Sequence, residues 1–182
     1  SAGMAKKRTK SEARTAYAVC LGIGLAMWGI GAALVSLYLS RQDALTALPC
    51  CMVSCLYLVI LLGVMAIGNF ARVRTLLTLE MLYGIGVVVR AVLGVADSLF
   101  LLDMDGHNWV MWLDKLTLPL GGLRYAAAQL TAHFETELYW FITAICAAIL
   151  LFLAYASRLA VRSRIARVRA YQREQREQTV QQ

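Results

Sequence analysis

Long apolar runs separated by polar connections dominate the chain. Four runs stand out, at positions 16–39, 45–70, 76–102 and 138–156. A helix needs about 20 consecutive apolar residues to cross the hydrocarbon core of a bilayer, and each run is close to that length or longer. The pattern therefore predicts an all-α, polytopic membrane protein with four transmembrane helices.

The connection at positions 103–137 is long and has an amphipathic pattern of its own. Its apolar side chains recur at helical spacing at Trp109, Trp112, Leu113 and Leu116. Such a pattern is typical of a short helix that lies in the membrane interface, with tryptophans at the level of the headgroups. We therefore expect an interfacial helix in this loop, with Trp109 and Trp112 as its anchors.

Two basic tails flank the apolar region, at positions 1–15 and 157–182. Positive charge next to a span attracts anionic lipid, and guanidinium groups bind phosphate and carboxylate groups well. We predict that the C-terminal tail is a helix that binds anionic lipid or an acidic partner. The residues predicted to bind are Arg158, Arg162, Arg164, Arg167 and Arg169, and Arg173 and Arg176 continue the series.

The distribution of positive charge predicts an orientation. Fourteen lysines and arginines lie on the side of the two tails, and three lie on the side of the long loop. Segments that stay in the cytosol carry the excess of Lys and Arg. Both termini should therefore face the cytosol, or the matrix if the membrane is mitochondrial. The pattern does not distinguish the organelle.

Composition supports a membrane location and changes the interpretation of the net charge. Apolar residues make up 60% of the chain and charged residues 16%, with a mean hydropathy of +0.62, whereas soluble domains average about 25% charged residues. In a soluble protein a net charge of +7 would suggest nucleic acid. Here the positive charge flanks the apolar runs, so membrane lipid is the predicted partner and nucleic acid is not.

One charged residue, Arg90, lies near the middle of the third run. A charge at the centre of a bilayer costs about 2.5–3.5 kcal/mol on insertion scales, so it faces a bundle interior, a wet cavity or another subunit. Asp97, two helical turns further on, is the expected partner, and Glu80 lies nearer the basic side. These three residues are the candidate site. They form either a salt bridge that fixes register or docks a subunit, or a path for an ion or substrate.

Small residues mark one face of the first run. They recur four apart as the pairs Gly22 and Ala26, and Gly29 and Ala33. Small side chains at this spacing allow close approach of a second helix within a membrane. We therefore predict that these four residues pack against a helix of this chain or of a partner subunit.

The sequence gives no support for catalysis, a metal site or a cofactor. His107 and His133 form no pair at ligand spacing, and no phosphate-binding loop or nucleophile elbow is present. Cys50, Cys51 and Cys55 lie within an apolar run, where we interpret them as small packing residues. We expect a protein that is not an enzyme and that holds no cofactor.

Two functions fit these features. The first is an accessory or assembly subunit of a larger membrane complex, which docks through its transmembrane helices and its basic tail. The alternative is a small homo-oligomeric transporter or channel that uses the charges of Arg90 and Asp97. A membrane enzyme acting on lipid would need a nucleophile and a base within reach of each other, and the sequence shows no such pair.

Overall fold

A computed structural model describes residues 2–41, 44–71, 73–101, 103, 106–131 and 133–181, with side chains from position 11 in the first helix and from 48 in the second. Six α-helices and one short 3-10 turn make up this part of the chain. In order they are α1 (Ala2–Arg41), α2 (Ala44–Phe70), α3 (Arg74–Phe100), α4 (Asn108–Thr117), the 3-10 turn Leu118–Leu120, α5 (Leu123–Leu130) and α6 (Glu135–Val180).

Four of the helices are long and apolar enough to cross a membrane, which confirms the predicted all-helical, multi-pass architecture. The candidate spans lie in Ser11–Arg41, Leu48–Phe70, Arg74–Phe100 and Glu135–Val180. The predicted end of the third run, position 102, lies outside the described residues. Large apolar side chains on the outer faces, such as Leu56, Val92 and Phe152, are exposed, as expected for surfaces that meet lipid.

The core forms around α3 and α6, which pack against each other along most of the length of α3. The pairing is antiparallel, because Gly84 lies beside Leu151 while Gly94 lies beside Trp140. α1 packs mainly on α2. Buried Leu77 of α3 and Ala154 of α6 belong to one apolar cluster that joins α2, α3 and α6.

The long loop inserts into the bundle instead of staying at its end. We call residues 108–130 the re-entrant segment; it consists of α4, the 3-10 turn and α5. Its turn packs on α1 and α2, and α5 packs on α2 and α6. Leu116 comes so close to Gly86 that a Cβ there would lie 2.7 Å from the leucine side chain. Gly86 is 14 residues before the end of α3, or about 21 Å along the helix, so the segment penetrates deeply.

The last helix continues well beyond the apolar bundle. α6 runs without a break for 46 residues, which corresponds to about 70 Å. Val161 is buried against the bundle, whereas every residue described from 166 to 181 is exposed. The arginine-rich C-terminal portion is therefore a helix that makes no substantial contact with the rest of the chain.

Candidate functional site

The three charged residues predicted on α3 do not form one cluster. Arg90 and Glu80 are buried, whereas Asp97 is half-buried. The ion pair that the structure describes for Arg90 is with Asp114 of α4, although the sequence had pointed to Asp97. Glu80 lies ten residues before Arg90, or about 15 Å along the helix axis. The candidate site therefore divides into two separate regions.

Arg90 has partners on two other helices. Its Nε donates a hydrogen bond to Oδ1 of Asp114, and its guanidinium group lies 4.3 Å from the centre of the Trp140 ring. A carboxylate and an aromatic face are two of the strongest partners that a guanidinium group can have. The structure thus compensates the buried charge within the chain, through α4 and α6.

A glycine makes the stacking of Trp140 on Arg90 possible. A Cβ on Gly94 would lie 2.5 Å from the Trp140 ring, so only a residue without a side chain lets the indole approach α3 this closely. Arg90 lies four residues before Gly94, one helical turn away and on the same face. The sequence pattern showed the arginine and the glycine, but nothing in it indicated that Trp140 of α6 would fill the space.

The tip of the re-entrant segment is held by buried hydrogen bonds to α2. The Ser54 hydroxyl donates to the carbonyl oxygen of Pro119 at 2.7 Å and accepts from the N–H of Gly122 at 2.9 Å. A Cβ on Gly122 would collide with the carbonyl oxygen of Cys50. Polar backbone at membrane depth must be satisfied by protein, and here a single serine hydroxyl satisfies two groups.

Glu80 lines a cavity of about 350 Å³ that lies among α1, α2 and α3, with single contributions from α4 and α6. Only 7% of the Glu80 surface is exposed, and neither carboxyl oxygen has a hydrogen-bond partner among the described residues. The indole N–H of Trp28, on the α1 side, is buried without a described partner as well. The described lining residues are Cys20, Leu21, Gly24, Leu25, Trp28, Tyr57, Leu61, Val64, Leu76, Leu79, Glu80, Tyr83, Leu116 and Leu150.

A short chain of hydrogen bonds leads from this cavity to the re-entrant segment. The Tyr57 hydroxyl donates to the Tyr83 hydroxyl at 2.7 Å, and Tyr83 donates to the carbonyl oxygen of Leu116 at 2.7 Å. Both tyrosines line the cavity. Leu116 is two residues from Asp114, so the two regions of α3 are joined through α4.

No known protein family, characterised protein or solved structure matches this chain. The arrangement of its side chains therefore carries the functional interpretation by itself.

The predicted small-residue face is not packed against the described part of this chain. Gly22, Ala26, Gly29 and Ala33 are all exposed, and Gly22 and Gly29 have open space around their Cβ positions. The tight contact of α1 is instead at Gly31, where a Cβ would lie 3.1 Å from Pro119 of the re-entrant segment. Packing of the predicted face against another subunit stays a prediction.

The two tryptophans predicted as anchors lie on the exposed face of α4. Trp109 and Trp112 are 49% and 68% exposed, and Lys115 lies 4.1 Å from the centre of the Trp112 ring. Val110, between them in sequence, is fully buried. α4 is a helix at the predicted place, but the face that it buries contains Val110 and Thr117 and not the two tryptophans. Its position relative to the lipid headgroups stays a prediction.

The predicted lipid-binding arginines lie along the outer part of α6. Arg158 is half-buried beside the bundle, whereas Arg162, Arg164, Arg167 and Arg169 are exposed. They therefore remain available for a lipid surface or for an acidic partner.

Proposed function

We propose that the protein is a small membrane transporter that takes a cation into the cavity at Glu80. The observation that carries the proposal is the buried carboxyl group of Glu80, a residue with only 7% of its surface exposed. This group lies among candidate membrane spans, lines a cavity and has no hydrogen-bond partner in the described part of the chain. A carboxylate in such a place needs a proton or a cation to compensate its charge. Ionisable residues inside spans mark ion and substrate pathways.

This proposal moves the site away from Arg90. A docking role for Arg90 would require that its charge be compensated by a partner subunit. Its pairing with Asp114 and its stacking on Trp140 instead favour a structural role within the chain. Among the three charged residues predicted on α3, Glu80 is therefore the best candidate for contact with cargo.

Charge movement in proteoliposomes tests the proposed function. Purified full-length protein is reconstituted, adsorbed to a solid-supported membrane and exposed to concentration jumps of protons, alkali cations and organic cations. We expect a current with at least one of these cations, and we expect Glu80→Gln to abolish it. Asp97→Asn is the matched control, because Asp97 is on the same helix but does not line the cavity, and it should retain the current.

Two outcomes would overturn the proposal. Either no current with any of these cations, or the same current in the native protein and in Glu80→Gln, would exclude Glu80 as a transport residue. A current that disappears only in Asp97→Asn would assign the pathway to another face of α3.

The second candidate function, an accessory subunit of a complex, is favoured by one observation. The α6 residues from 166 to 180 form a helix with every side chain exposed, as expected for a segment that binds a partner or an anionic membrane surface. The native mass after gentle solubilisation, with mass-spectrometric identification of co-purifying chains, tests it. Unrelated subunits that are lost in Arg164→Gln/Arg167→Gln/Arg169→Gln would support docking through the tail, and recovery of this chain alone would contradict it.

We further propose that both termini face the cytosol, or the matrix in a mitochondrion. The excess of lysine and arginine on the side of the tails supports this orientation. In intact cells a membrane-impermeant thiol reagent should label a cysteine introduced at Gly106 of the long loop but not one introduced at Thr179. The test uses a background in which the native cysteines are replaced by alanine or serine.

A further inference from the structure

We infer that the cargo of the Glu80 cavity is a lipophilic organic cation with a single positive charge, an amine or an onium ion, that enters from the lipid. This inference rests on the proposed function and adds the chemical class of the substrate. It follows from the number of charges in the cavity, from the chemistry of the wall and from the place where the cavity opens.

The wall supplies one carboxyl group for one positive charge. Glu80 is the single acidic side chain among the described residues that line the cavity, and no basic side chain is among them. A dehydrated inorganic cation such as Ca²⁺ or Mg²⁺ takes six or more oxygen ligands, and this wall offers far fewer. A cation whose charge is spread over or shielded by apolar groups needs only one counter-charge, because it gives up little hydration on entry.

Three aromatic side chains of the wall suit such a cation. Trp28, Tyr57 and Tyr83 come from three different helices and line the same space as Glu80. Aromatic faces attract ammonium and onium groups, and tryptophan does so most strongly. The remaining lining is almost entirely aliphatic, and a volume of about 350 Å³ lies within the range of pockets that hold drug-sized ligands.

The cavity opens towards the surface that meets lipid. Leu25 of α1 and Leu79 of α3 line the cavity, and they are 63% and 39% exposed. α1 packs on α2 and on the re-entrant segment, with much less contact to α3, which leaves this side of the cavity less closed. A hydrophobic cation that partitions into the membrane can therefore reach Glu80 without crossing the bundle from the water.

Binding of tetraphenylphosphonium to the full-length protein tests the inference. The protein is placed in nanodiscs of neutral lipid, and radiolabelled tetraphenylphosphonium is titrated in equilibrium dialysis against empty nanodiscs. We expect saturable binding of about one cation per chain that weakens at least about tenfold in Glu80→Gln, because the variant loses a desolvated charge pair. Asp97→Asn should bind as the native chain does. Glu80→Gln should fold, because no described residue loses a hydrogen bond to the carboxyl group.

A second variant examines the aromatic wall. Trp28→Leu keeps the carboxyl group and a large apolar side chain, and it should weaken binding by about threefold to tenfold, the size of a cation–π contact. Dodecyltrimethylammonium should compete for the site, whereas sodium and magnesium at equal concentration should not. Competition by sodium at equal concentration would overturn the choice of an organic cation.

The outcomes separate this inference from the proposed function. If tetraphenylphosphonium does not bind above empty nanodiscs, or binds equally to Glu80→Gln, the inference fails. Glu80-dependent currents with protons or alkali cations would then leave the proposed function intact. If those currents are absent as well, both proposals fail together.

Discussion

Arg90 and Glu80 lie about 15 Å apart along one helix, and the chain surrounds them in opposite ways. The guanidinium group of Arg90 has a carboxylate from α4 and an aromatic face from α6. The carboxyl group of Glu80 has an apolar cavity and no described hydrogen-bond partner. Both residues are more than nine-tenths buried, so burial alone does not distinguish them.

The difference indicates that Arg90 stabilises the fold, whereas Glu80 is available for contact with cargo. Removing one partner of a buried pair leaves the other charge uncompensated and is costly. Removing a buried charge that has no partner strands nothing. Substitutions at the two sites should therefore differ in their consequences for the free energy of unfolding.

The largest expected effect is at the partner of Arg90. Breaking a buried ion pair costs roughly 3–5 kcal/mol, and the Asp114 side chain is 42% exposed, which favours the low end of that range. Asp114→Asn should therefore lower the free energy of unfolding by about 3 kcal/mol, measured by titration with a denaturing detergent. Asp103→Asn is the matched control, because Asp103 is an exposed acid of the same loop.

The double variant Arg90→Leu/Asp114→Leu sharpens this test. Replacing both members of a buried pair by apolar residues is often close to neutral, so the double variant should recover most of the loss seen in Asp114→Asn. Equal losses in Asp114→Asn and Asp103→Asn would show that the ion pair contributes nothing to stability.

An intermediate effect is expected at the tip of the re-entrant segment. In Gly122→Ala the new methyl group would collide with the backbone of Cys50, which cannot move as a flexible side chain can. Overpacking of this kind costs about 1–3 kcal/mol, and we expect a loss of about 2 kcal/mol in the same titration. Gly63→Ala should be neutral or slightly stabilising, because the space around Gly63 is open and alanine favours a helix. Equal stabilities of the two variants would mean that the segment does not insert here.

The smallest expected effect is at Glu80. Glu80→Gln should change the free energy of unfolding by less than about 0.5 kcal/mol or increase it slightly, because a neutral amide is cheaper to bury than a carboxylate and no described residue loses a hydrogen bond. A loss as large as that of Asp114→Asn would make Glu80 a structural residue. That outcome would remove the basis for a transport role.

The sequence was most informative about features that depend on local sequence alone and not on contacts between distant segments. A run of about 20 apolar residues is typical of a helix that crosses a bilayer, so the four long helices were predictable. The burial of Arg90 was predictable as well, because the cost of exposing it to lipid does not depend on the rest of the fold. The presence of a helix at α4 followed from the spacing of its apolar residues, whereas the face that it buries did not.

The partners of these residues were not predictable, because they depend on how distant segments meet. Asp97 seemed the natural partner of Arg90 because it lies on the same helix, but Asp114 reaches Arg90 only because the long loop turns inward. The cavity at Glu80 lies where α1 and α3 make little contact with each other, which no local pattern encodes. Nothing local in the sequence indicated that Gly122 lies against Ser54 and Cys50.

The re-entrant segment also constrains the order in which the protein can be built during synthesis. Its tip contacts Gly31 of α1 and Ser54 of α2, and both helices leave the ribosome before the segment does. Backbone that is not helical enters a bilayer only where protein already covers it. We therefore expect α1 and α2 to pack together in the membrane before the re-entrant segment inserts between them. α6, which is synthesised after the segment, then packs against α5.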